Sequence, residues 1–385
     1  GLAFICAKAG YTVVLKDINA DALDKGMAHC TAQGKKRLKY LSQDARDEVM
    51  NRITGSLELG SLAGCDLIIE AVVENIGVKH AVTREVEGLL APNAIFASNT
   101  SALPITDLAE AAQAKDRFIG LHFFSPVEQM PLLEIIKGAN TSDETLGRCL
   151  AFAKNIKKTS IVVNDGYAFY TTRMFSSYVM EAAQLVAEGF SPVLVERAAR
   201  RAGMVISPLK VFDEVTLSLA EHGFQMREAY TGEALKHDGV DLVRALVKAG
   251  RLGKAAGAGF YDYEDKPRKL WAGLADLVTN NPTQLTGQAQ LDEAENRLMA
   301  VQAVEAVRCL EENILTSKAD GEIGAIFGLG FAPNTGGPFA WIDRQGVPET
   351  VALLNRLSTD HDPRYAPPKL LETMAERGER FYPWV

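Results

Sequence analysis

The chain has 385 residues, of which 47% are hydrophobic and 23% charged, so it is long enough for two or three domains with buried cores and is not intrinsically disordered. Its net charge of −8, without a basic stripe, argues against a nucleic acid as partner, and no apolar run approaches the roughly twenty residues of a transmembrane helix. The five cysteines are scattered and form no C-x-x-C pair, which predicts reduced thiols in an intracellular protein.

Strand and helix signals alternate over the first 166 residues. Helices are predicted at 2–9, 20–42, 78–90, 105–112 and 143–155, and strands at 11–15, 66–73, 94–97, 118–123, 132–136 and 160–163. This alternation predicts an α/β Rossmann-type, doubly wound and mostly parallel sheet. The sequence begins inside an apolar helix pattern and has no Met at its start. We therefore expect the first strand of the sheet, with its glycine-rich turn, to be missing because it precedes Gly1.

The remaining residues have mainly helical periodicity and contain a weak internal repeat. Arg173 is followed after eight residues by Glu181, and Arg297 is followed after eight residues by Glu305. Downstream in each copy a proline precedes an aspartate by five residues, at Pro208 with Asp213 and at Pro338 with Asp343. The repeat predicts two tandem helical units that pack against each other in pseudo-twofold fashion, joined near residues 264–282. The predicted domains are 1–164, 165–265 and 283–385.

Three polar residues in or just after apolar strands form the candidate catalytic group: Ser101, His122 and Glu134. The strand ends of an open α/β sheet share the edge where ligands bind. A histidine backed by a carboxylate is a general base with a fixed tautomer, and a nearby serine can hydrogen-bond the group that loses its proton. A glutamate in an apolar strand and a histidine among phenylalanines are each costly without a partner, which favours pairing the two. The group therefore predicts removal of a proton from an alcohol.

Residues on the expected cofactor side are less specific. Asp17 closes the first predicted strand, where an acid in a dinucleotide fold binds the adenosine ribose and disfavours a 2′-phosphate, which predicts NAD over NADP. A surface aspartate at a strand end also fits this position. Glu74 and Lys79 follow the strand at 66–73 and fit both a cofactor contact and a solvated helix start. The other five histidines have no metal-ligand spacing, so we expect no metal site.

Several ordered motifs resemble those of the NAD-dependent L-3-hydroxyacyl-CoA dehydrogenases, and the resemblance covers essentially the whole chain. The motifs are Ser98-Asn99-Thr100-Ser101, residues 121–126 (LHFFSP), 133–136 (LEII) and 257–261 (GAGFY). The tail at 327–333 (FGLGFAP), with Gly336-Gly337-Pro338, narrows the resemblance to the C-terminal half of the multifunctional fatty-acid β-oxidation α-subunits. This resemblance implies a Rossmann-type NAD-binding domain followed by two all-α 3-hydroxyacyl-CoA dehydrogenase C-terminal domains. It also implies oxidation of L-3-hydroxyacyl-CoA to 3-ketoacyl-CoA in fatty-acid β-oxidation, with NAD as hydride acceptor.

The resemblance implies roles for single residues. His122 is the expected base for the 3-hydroxyl, Glu134 its orienting carboxylate, and Ser101 the serine between substrate and nicotinamide. Thr172 stands where many relatives have an asparagine near the substrate carbonyl, and Tyr167-Ala168 stand where they usually have Pro-Gly. Ser125 replaces an asparagine that lies near the nicotinamide amide in many relatives. The implied cofactor-binding residues are Asp17, Ala71, Glu74, Lys79, Ser101 and Ser125.

The implied partners are a 3-hydroxyacyl-CoA substrate, an upstream enoyl-CoA hydratase domain in the parent chain and a thiolase subunit. The expected location is the cytoplasm of a bacterium, or the mitochondrial matrix of a eukaryote. Two other hypotheses stay open. One is a related β-hydroxyacid or 6-phosphogluconate-type dehydrogenase, although such enzymes usually rely on a catalytic lysine. The other is a catalytically silent interaction module of a β-oxidation complex, which the start of the chain and Thr172 favour.

Overall fold

The computed structural model describes residues 1–264, 267–278 and 286–383, which fall into two compact units. The first unit comprises residues 1–170 with 313–316, and the second comprises 171–312 with the residues from 317 onward. Parts of the predicted join at 264–282, and both ends of the predicted domain 283–385, lie outside the described residues.

The first unit alternates strands and helices as predicted. Its strands are β1 (Val13–Lys16), β2 (Ile53–Ser56), β3 (Leu67–Glu70), β4 (Ile95–Ser98), β5 (Phe118–Phe123), β6 (Leu132–Lys137) and β7 (Thr159–Asn164). Its helices are α1 (Leu2–Lys8), α2 (Ala20–Arg37), α3 (Gln43–Met50), α4 (Ile76–Glu87), α5 (Ile105–Leu108) and α6 (Asp143–Asn155).

The prediction of one helix over 20–42 was wrong at its end. Helix α2 stops at Arg37, and Ser42 begins α3 by accepting a hydrogen bond from the backbone N–H of Ala45 at 3.3 Å. A serine N-cap of this kind starts a new helix, but the surrounding polar residues hide the break from a periodicity argument. Strand β2 was not predicted at all, because only Ile53 of its four residues is buried.

The strands form two separate sheets. A five-stranded sheet has the order β3-β4-β5-β6-β7, in which only the β5–β6 pair is antiparallel, and β1 and β2 form a parallel pair of their own. Every residue of β4 and β5 is buried, whereas β1 and the first three residues of β3 are only partly buried. Helices α1 and α6 cover one side of the sheets, and Phe4, Leu121, Ile135 and Phe152 belong to the same apolar core.

The second unit is almost entirely helical. Its helices are α7 (Thr171–Ala187), α8 (Pro192–Ala202), α9 (Pro208–Val215), α10 (Leu217–Thr231), α11 (Asp238–Lys248), α12 (Leu274–Leu277), α13 (Gln288–Glu311), α14 (Lys318–Gly324), α15 (Pro338–Gln345), α16 (Val347–Asp360) and α17 (Lys369–Arg377). A short antiparallel pair, β8 (Tyr261–Asp262) and β9 (Lys269–Leu270), departs from the all-helical prediction. Two-residue strands are too short to show an alternating pattern. None of the helices in the described ranges is long and apolar enough to cross a membrane.

Helices α7 and α13 pack against each other and exchange ion pairs. Arg173 on α7 contacts Glu305 on α13 through its Nε at 2.6 Å, and Arg297 on α13 contacts Glu181 on α7 through its Nε at 2.8 Å. Each helix thus supplies the arginine to one pair and the glutamate to the other. Such reciprocity is what a twofold relation between two equivalent helices produces.

Two pairs of buried carboxylates in the second unit make similar contacts with backbone N–H groups. Asp213 accepts the backbone N–H groups of Phe260 and Tyr261 at 2.8 and 3.0 Å. Asp343 accepts those of Phe381 and Tyr382 at 2.9 and 2.8 Å. In the same way, Glu196 accepts backbone N–H groups at the start of α9, and Glu322 accepts them at the start of α15. Burial raises the pKa of Asp213 to about 6 and that of Glu322 to about 7.

Candidate active site

The predicted pairing of His122 with Glu134 is confirmed. The two residues lie directly opposite each other on the antiparallel strands β5 and β6, and Nδ1 of His122 lies 2.8 Å from Oε2 of Glu134. Glu134 is completely buried, and His122 is 8% exposed. An ionised carboxylate can only accept a hydrogen bond, so Nδ1 must donate, which assigns the tautomer with a hydrogen on Nδ1. The carboxylate also stabilises the imidazolium that forms when the ring takes up a second proton.

The second oxygen of Glu134 and the ring of His122 have further neighbours. Oε1 of Glu134 accepts the backbone N–H of Tyr170 at 3.1 Å. The ring of Phe124 lies 4.5 Å from that of His122, centroid to centroid, and the ring of Phe169 lies 6.4 Å away. The carboxylate is thus hydrogen-bonded at both oxygens, and the imidazole lies near two aromatic rings.

Ser101 lies in the turn that follows β4. Asn99, two residues earlier, accepts the backbone N–H of Phe123 at 2.8 Å through its side chain, which ties this turn to the residue after His122. The carboxylate of Glu74 accepts the backbone N–H of Ser101 at 3.1 Å and a hydrogen bond from the Thr100 hydroxyl. Ser101 itself is exposed. The local contacts therefore hold its backbone firmly and place its side chain at the surface of this edge.

Lys79 is a buried cation between two carboxylates. Its Nζ lies 2.9 Å from Oε1 of Glu70 and 3.2 Å from Oε2 of Glu74, and Lys79 is 2% exposed. Glu70 also accepts a hydrogen bond from the Ser98 hydroxyl at 2.7 Å. This network connects the ends of β3 and β4, and through Glu74 it reaches the backbone of the Ser101 turn. Sequence reasoning missed Glu70, although a glutamate in an apolar strand was the signal that identified Glu134.

The other predicted site residues occupy separate places. Asp17 follows β1, is half-buried, and accepts the backbone N–H of Asn19 at 3.0 Å. Ala71 directly follows β3 and Ser125 follows β5, and both are exposed. Thr172 lies in the first turn of α7, in the second unit. Within the described ranges, no group of three or more His, Cys, Asp or Glu side chains is arranged to hold a metal ion.

The arrangement in the first unit suits proton transfer at the edge of an α/β sheet. With its hydrogen on Nδ1, His122 carries a basic lone pair on Nε2, and the buried carboxylate offsets the charge that develops when Nε2 takes a proton. Asp17 and the exposed residues after β3 lie at the carboxyl ends of their strands, where such folds bind dinucleotides. These positions fit NAD, whose ribose hydroxyls are donors to an aspartate.

Two family models match the chain. Residues 1–166 match the model described as "3-hydroxyacyl-CoA dehydrogenase, NAD binding domain". Residues 169–263 match the model described as "3-hydroxyacyl-CoA dehydrogenase, C-terminal domain".

Solved structures similar to the chain include three of direct interest. An (S)-3-hydroxybutyryl-CoA dehydrogenase from Ralstonia eutropha is 32% identical, with a TM-score of 0.63, over 69% of this chain and 94% of that chain. A 3-hydroxybutyryl-CoA dehydrogenase from Escherichia coli K12 shares the fold with a TM-score of 0.82 at 22% identity, over 98% of this chain and 95% of that chain. The dehydrogenase part of multifunctional enzyme 1 from C. elegans shares the fold with a TM-score of 0.66 at 22% identity, over 97% of this chain and 86% of that chain.

Proposed function

Because the chain belongs to the 3-hydroxyacyl-CoA dehydrogenase family, we propose that it oxidises L-3-hydroxyacyl-CoA to 3-ketoacyl-CoA with NAD, using His122 as general base. The observation that carries this proposal is the buried contact of 2.8 Å between Nδ1 of His122 and Oε2 of Glu134. A related β-hydroxyacid dehydrogenase that relies on a lysine has less support, because Lys79 is enclosed by Glu70 and Glu74.

The proposed mechanism assigns one task to each residue of the group. Nε2 of His122 accepts the proton of the 3-hydroxyl while the hydrogen on C3 leaves as hydride. Glu134 keeps the other ring nitrogen protonated and stabilises the imidazolium. Ser101 donates or accepts a hydrogen bond at the substrate oxygen. NAD, when bound, supplies the hydride acceptor. Thr172, whose hydroxyl is on a shorter arm than an asparagine amide, is proposed as a further polar contact to the substrate carbonyl.

The residues on the expected cofactor side are proposed to act in two ways, by direct contact or indirectly. Asp17 is proposed to bind the adenosine ribose, and Ala71 and Ser125, both exposed, are proposed to line the cofactor. Glu74 and Lys79 were predicted as cofactor contacts. The contacts of Lys79 favour an indirect role, in which it holds the carboxylate of Glu74 where that carboxylate accepts the backbone N–H of Ser101.

The function is tested by following NADH absorbance with (S)-3-hydroxybutyryl-CoA and, as a matched control, its R enantiomer. The test uses both the 385-residue chain and its parent protein. We expect NADH only from the S substrate, because one base on one side of the site can deprotonate only one enantiomer in line with hydride transfer. No NADH from either form of the protein would contradict the proposal and favour the silent interaction module.

We expect Asp17→Ala to narrow the preference for NAD over NADP, mainly by weakening NAD binding. The carboxylate accepts hydrogen bonds from ribose hydroxyls and repels a 2′-phosphate, so its loss removes both effects. Charge-assisted hydrogen bonds contribute about 1.5–3 kcal/mol each, so KM for NAD should rise by roughly tenfold or more. Asp21→Ala, in the first turn of α2, is a matched control. A wild-type enzyme that uses NADP as well as NAD would refute the role of Asp17.

We also propose that the second unit contains two tandem copies of the family's helical domain. Support comes from the exchanged Arg–Glu pairs of α7 and α13 and from the matched carboxylates Asp213 and Asp343. The backbone supports it as well: Thr216 (φ 79°, ψ 134°) before α10 and Gly346 (φ 97°, ψ 132°) before α16 have nearly the same conformation.

A central strand between β1 and β3 is a further part of the proposal. The sheet is divided between these two strands, and their apolar residues are only partly buried, as expected for edges that lack a neighbour. A strand from sequence before Gly1 would pair with both, and the turn after it would bring backbone N–H groups to the cofactor pyrophosphate. The parent protein proposed here is a multifunctional β-oxidation α-subunit with an upstream enoyl-CoA hydratase domain, a thiolase partner subunit and a cytoplasmic location in a bacterium.

A further inference from the structure

Two consecutive residues between β7 and α7 have left-handed backbone conformations although neither is a glycine. They are Ala168, with φ 62°, and Phe169, with φ 48°. Both are buried, and Phe169 has no exposed surface. A large non-glycine side chain in this region is unfavourable, and such conformations persist only where the surroundings hold them. Because both residues lie beside the candidate site, the contacts that hold this conformation are of interest for the function.

The backbone around these residues contacts both halves of the candidate site. The N–H of Ala168 donates to the carbonyl oxygen of Ala102 at 2.8 Å, one residue after Ser101. The N–H of Tyr170 donates to Oε1 of Glu134 at 3.1 Å. Residues 168–170 are therefore hydrogen-bonded to the Ser101 turn through Ala168 and to Glu134, the partner of His122, through Tyr170.

A third fastening lies just before the strained pair. The carboxylate of Asp165 accepts the backbone N–H groups of Ile105 and Thr106 at 2.8 and 2.7 Å, at the start of α5. Helix α5 follows the Ser101 turn directly in the chain. Residues 165–168 therefore hydrogen-bond both to Ala102, just after Ser101, and to the first residues of α5. A left-handed pair placed between such anchors changes the chain direction within two residues, which an extended pair could not do.

We propose that Ala168 and Phe169 are positioning residues whose left-handed backbone aims the N–H of Tyr170 at Glu134. A carboxylate held at one oxygen by this N–H cannot rotate about its terminal bond, so its other oxygen stays directed at Nδ1 of His122. The ring of Phe169 also lies near the His122 ring, with 6.4 Å between the two centroids. This inference rests on the proposed role of His122 as the base.

The test uses Ala168→Val, because a β-branched residue disfavours left-handed backbone more than alanine does. The readout is the downfield Nδ1–H resonance of His122 in protein labelled with ¹⁵N-histidine, since that proton reports the bond to Glu134. We expect the resonance to weaken or shift in Ala168→Val, as in Glu134→Gln. We also expect kcat to fall by about 10²-fold, the effect of a misplaced catalytic group.

Three further variants test whether the effect comes from the backbone conformation at Ala168 and acts through Glu134. Lys157 also has a left-handed backbone (φ 60°) in the turn between α6 and β7, so Lys157→Val carries a similar backbone cost away from His122 and should leave the resonance unchanged. Ala168→Gly should retain the resonance, because glycine adopts the left-handed region readily. In a Glu134→Gln background, Ala168→Val should cause no further loss of kcat if it acts through Glu134.

One measurement needs no change in the strained segment, should valine prevent folding. Glu134→Gln replaces a charged acceptor with a neutral one, so the amide proton of Tyr170 should move upfield. An unmoved Tyr170 amide, or an unchanged His122 resonance in folded Ala168→Val, would overturn the inference. Neither resonance requires turnover, so a protein without dehydrogenase activity would refute the proposed function and still leave the positioning of Glu134 testable.

Discussion

Replacing His122 with alanine is expected to lower kcat by at least about 10²–10⁴-fold, the contribution of one general base. The loss should lie toward the upper end, because Glu134 is completely buried and would lose a hydrogen-bond donor as well. The effect should appear in kcat rather than in KM for NAD, since the base acts on the substrate hydroxyl. Steady-state NADH formation in the active protein measures both quantities.

The chain offers a matched control for this substitution. His29 also faces a glutamate, with its Nε2 3.3 Å from Oε1 of Glu128, but its side chain is 45% exposed and it lies on α2. His29→Ala should change kcat by less than about twofold, because α2 carries none of the residues proposed to contact the reacting atoms. A loss below tenfold for His122→Ala would mean that another group removes the proton.

Arg297→Met is expected to lower the free energy of unfolding of the second unit by about 3–5 kcal/mol, the cost of breaking a buried ion pair from one side. Arg297 and Glu181 have no exposed surface, and Arg297 also contacts Glu188. Methionine retains most of the volume but removes the cation that Glu181 and Glu188 share, which leaves Arg364 as the remaining cation beside Glu181. Urea unfolding monitored by circular dichroism measures the loss.

Arg173→Met is the matched control at the corresponding position of α7. Arg173 contacts Glu305 and Glu312, and its side chain is 19% exposed, so water can solvate the carboxylates that remain. We expect a loss of about 1 kcal/mol there. Equal losses at the two positions would contradict the view that burial sets the cost.

The pH dependence gives the Arg297 prediction a further check. Burial alone would raise the pKa of Glu181, but Arg297 and Arg364 hold it below its usual value. A lowered pKa contributes stability above the unfolded-state pKa, and this contribution is lost as the pH falls through the folded-state pKa. The variant keeps only the part of that contribution that comes from Arg364, so the difference in stability between wild type and Arg297→Met should narrow as the solution becomes acidic.

The sequence was sufficient to predict a residue's burial and partner where both follow from the pattern of its own strand. Glu134 lies among leucines and isoleucines, so its burial and its need for a partner were predictable, and the antiparallel register of β5 and β6 supplied His122. The environment of Lys79 was not predictable in this way. Its burial depends on Glu70 and Glu74, which come from the end of β3 and the loop before α4, and a pattern of single residues does not show that they converge.

Local backbone conformation was the second feature that the sequence did not predict. A left-handed turn is usually signalled by glycine or asparagine at the turning residues, and Ala168-Phe169 contains neither. The turn residues Asn164 and Gly166 stand just before this pair and do not mark its conformation. The break between α2 and α3 was missed for a related reason. A serine N-cap is one polar residue among many in a stretch of exposed lysines, glutamines and aspartates, and only its hydrogen bond to Ala45 distinguishes it.

The exchanged ion pairs of α7 and α13 have a consequence for how the second unit folds. Arg297, which contacts Glu181, and Glu305, which contacts Arg173, both belong to α13, whereas their partners belong to α7. Neither helix can therefore neutralise these charges before the other has packed against it. The segments before and after residues 264–282 should unfold together in a single calorimetric transition, as one cooperative unit.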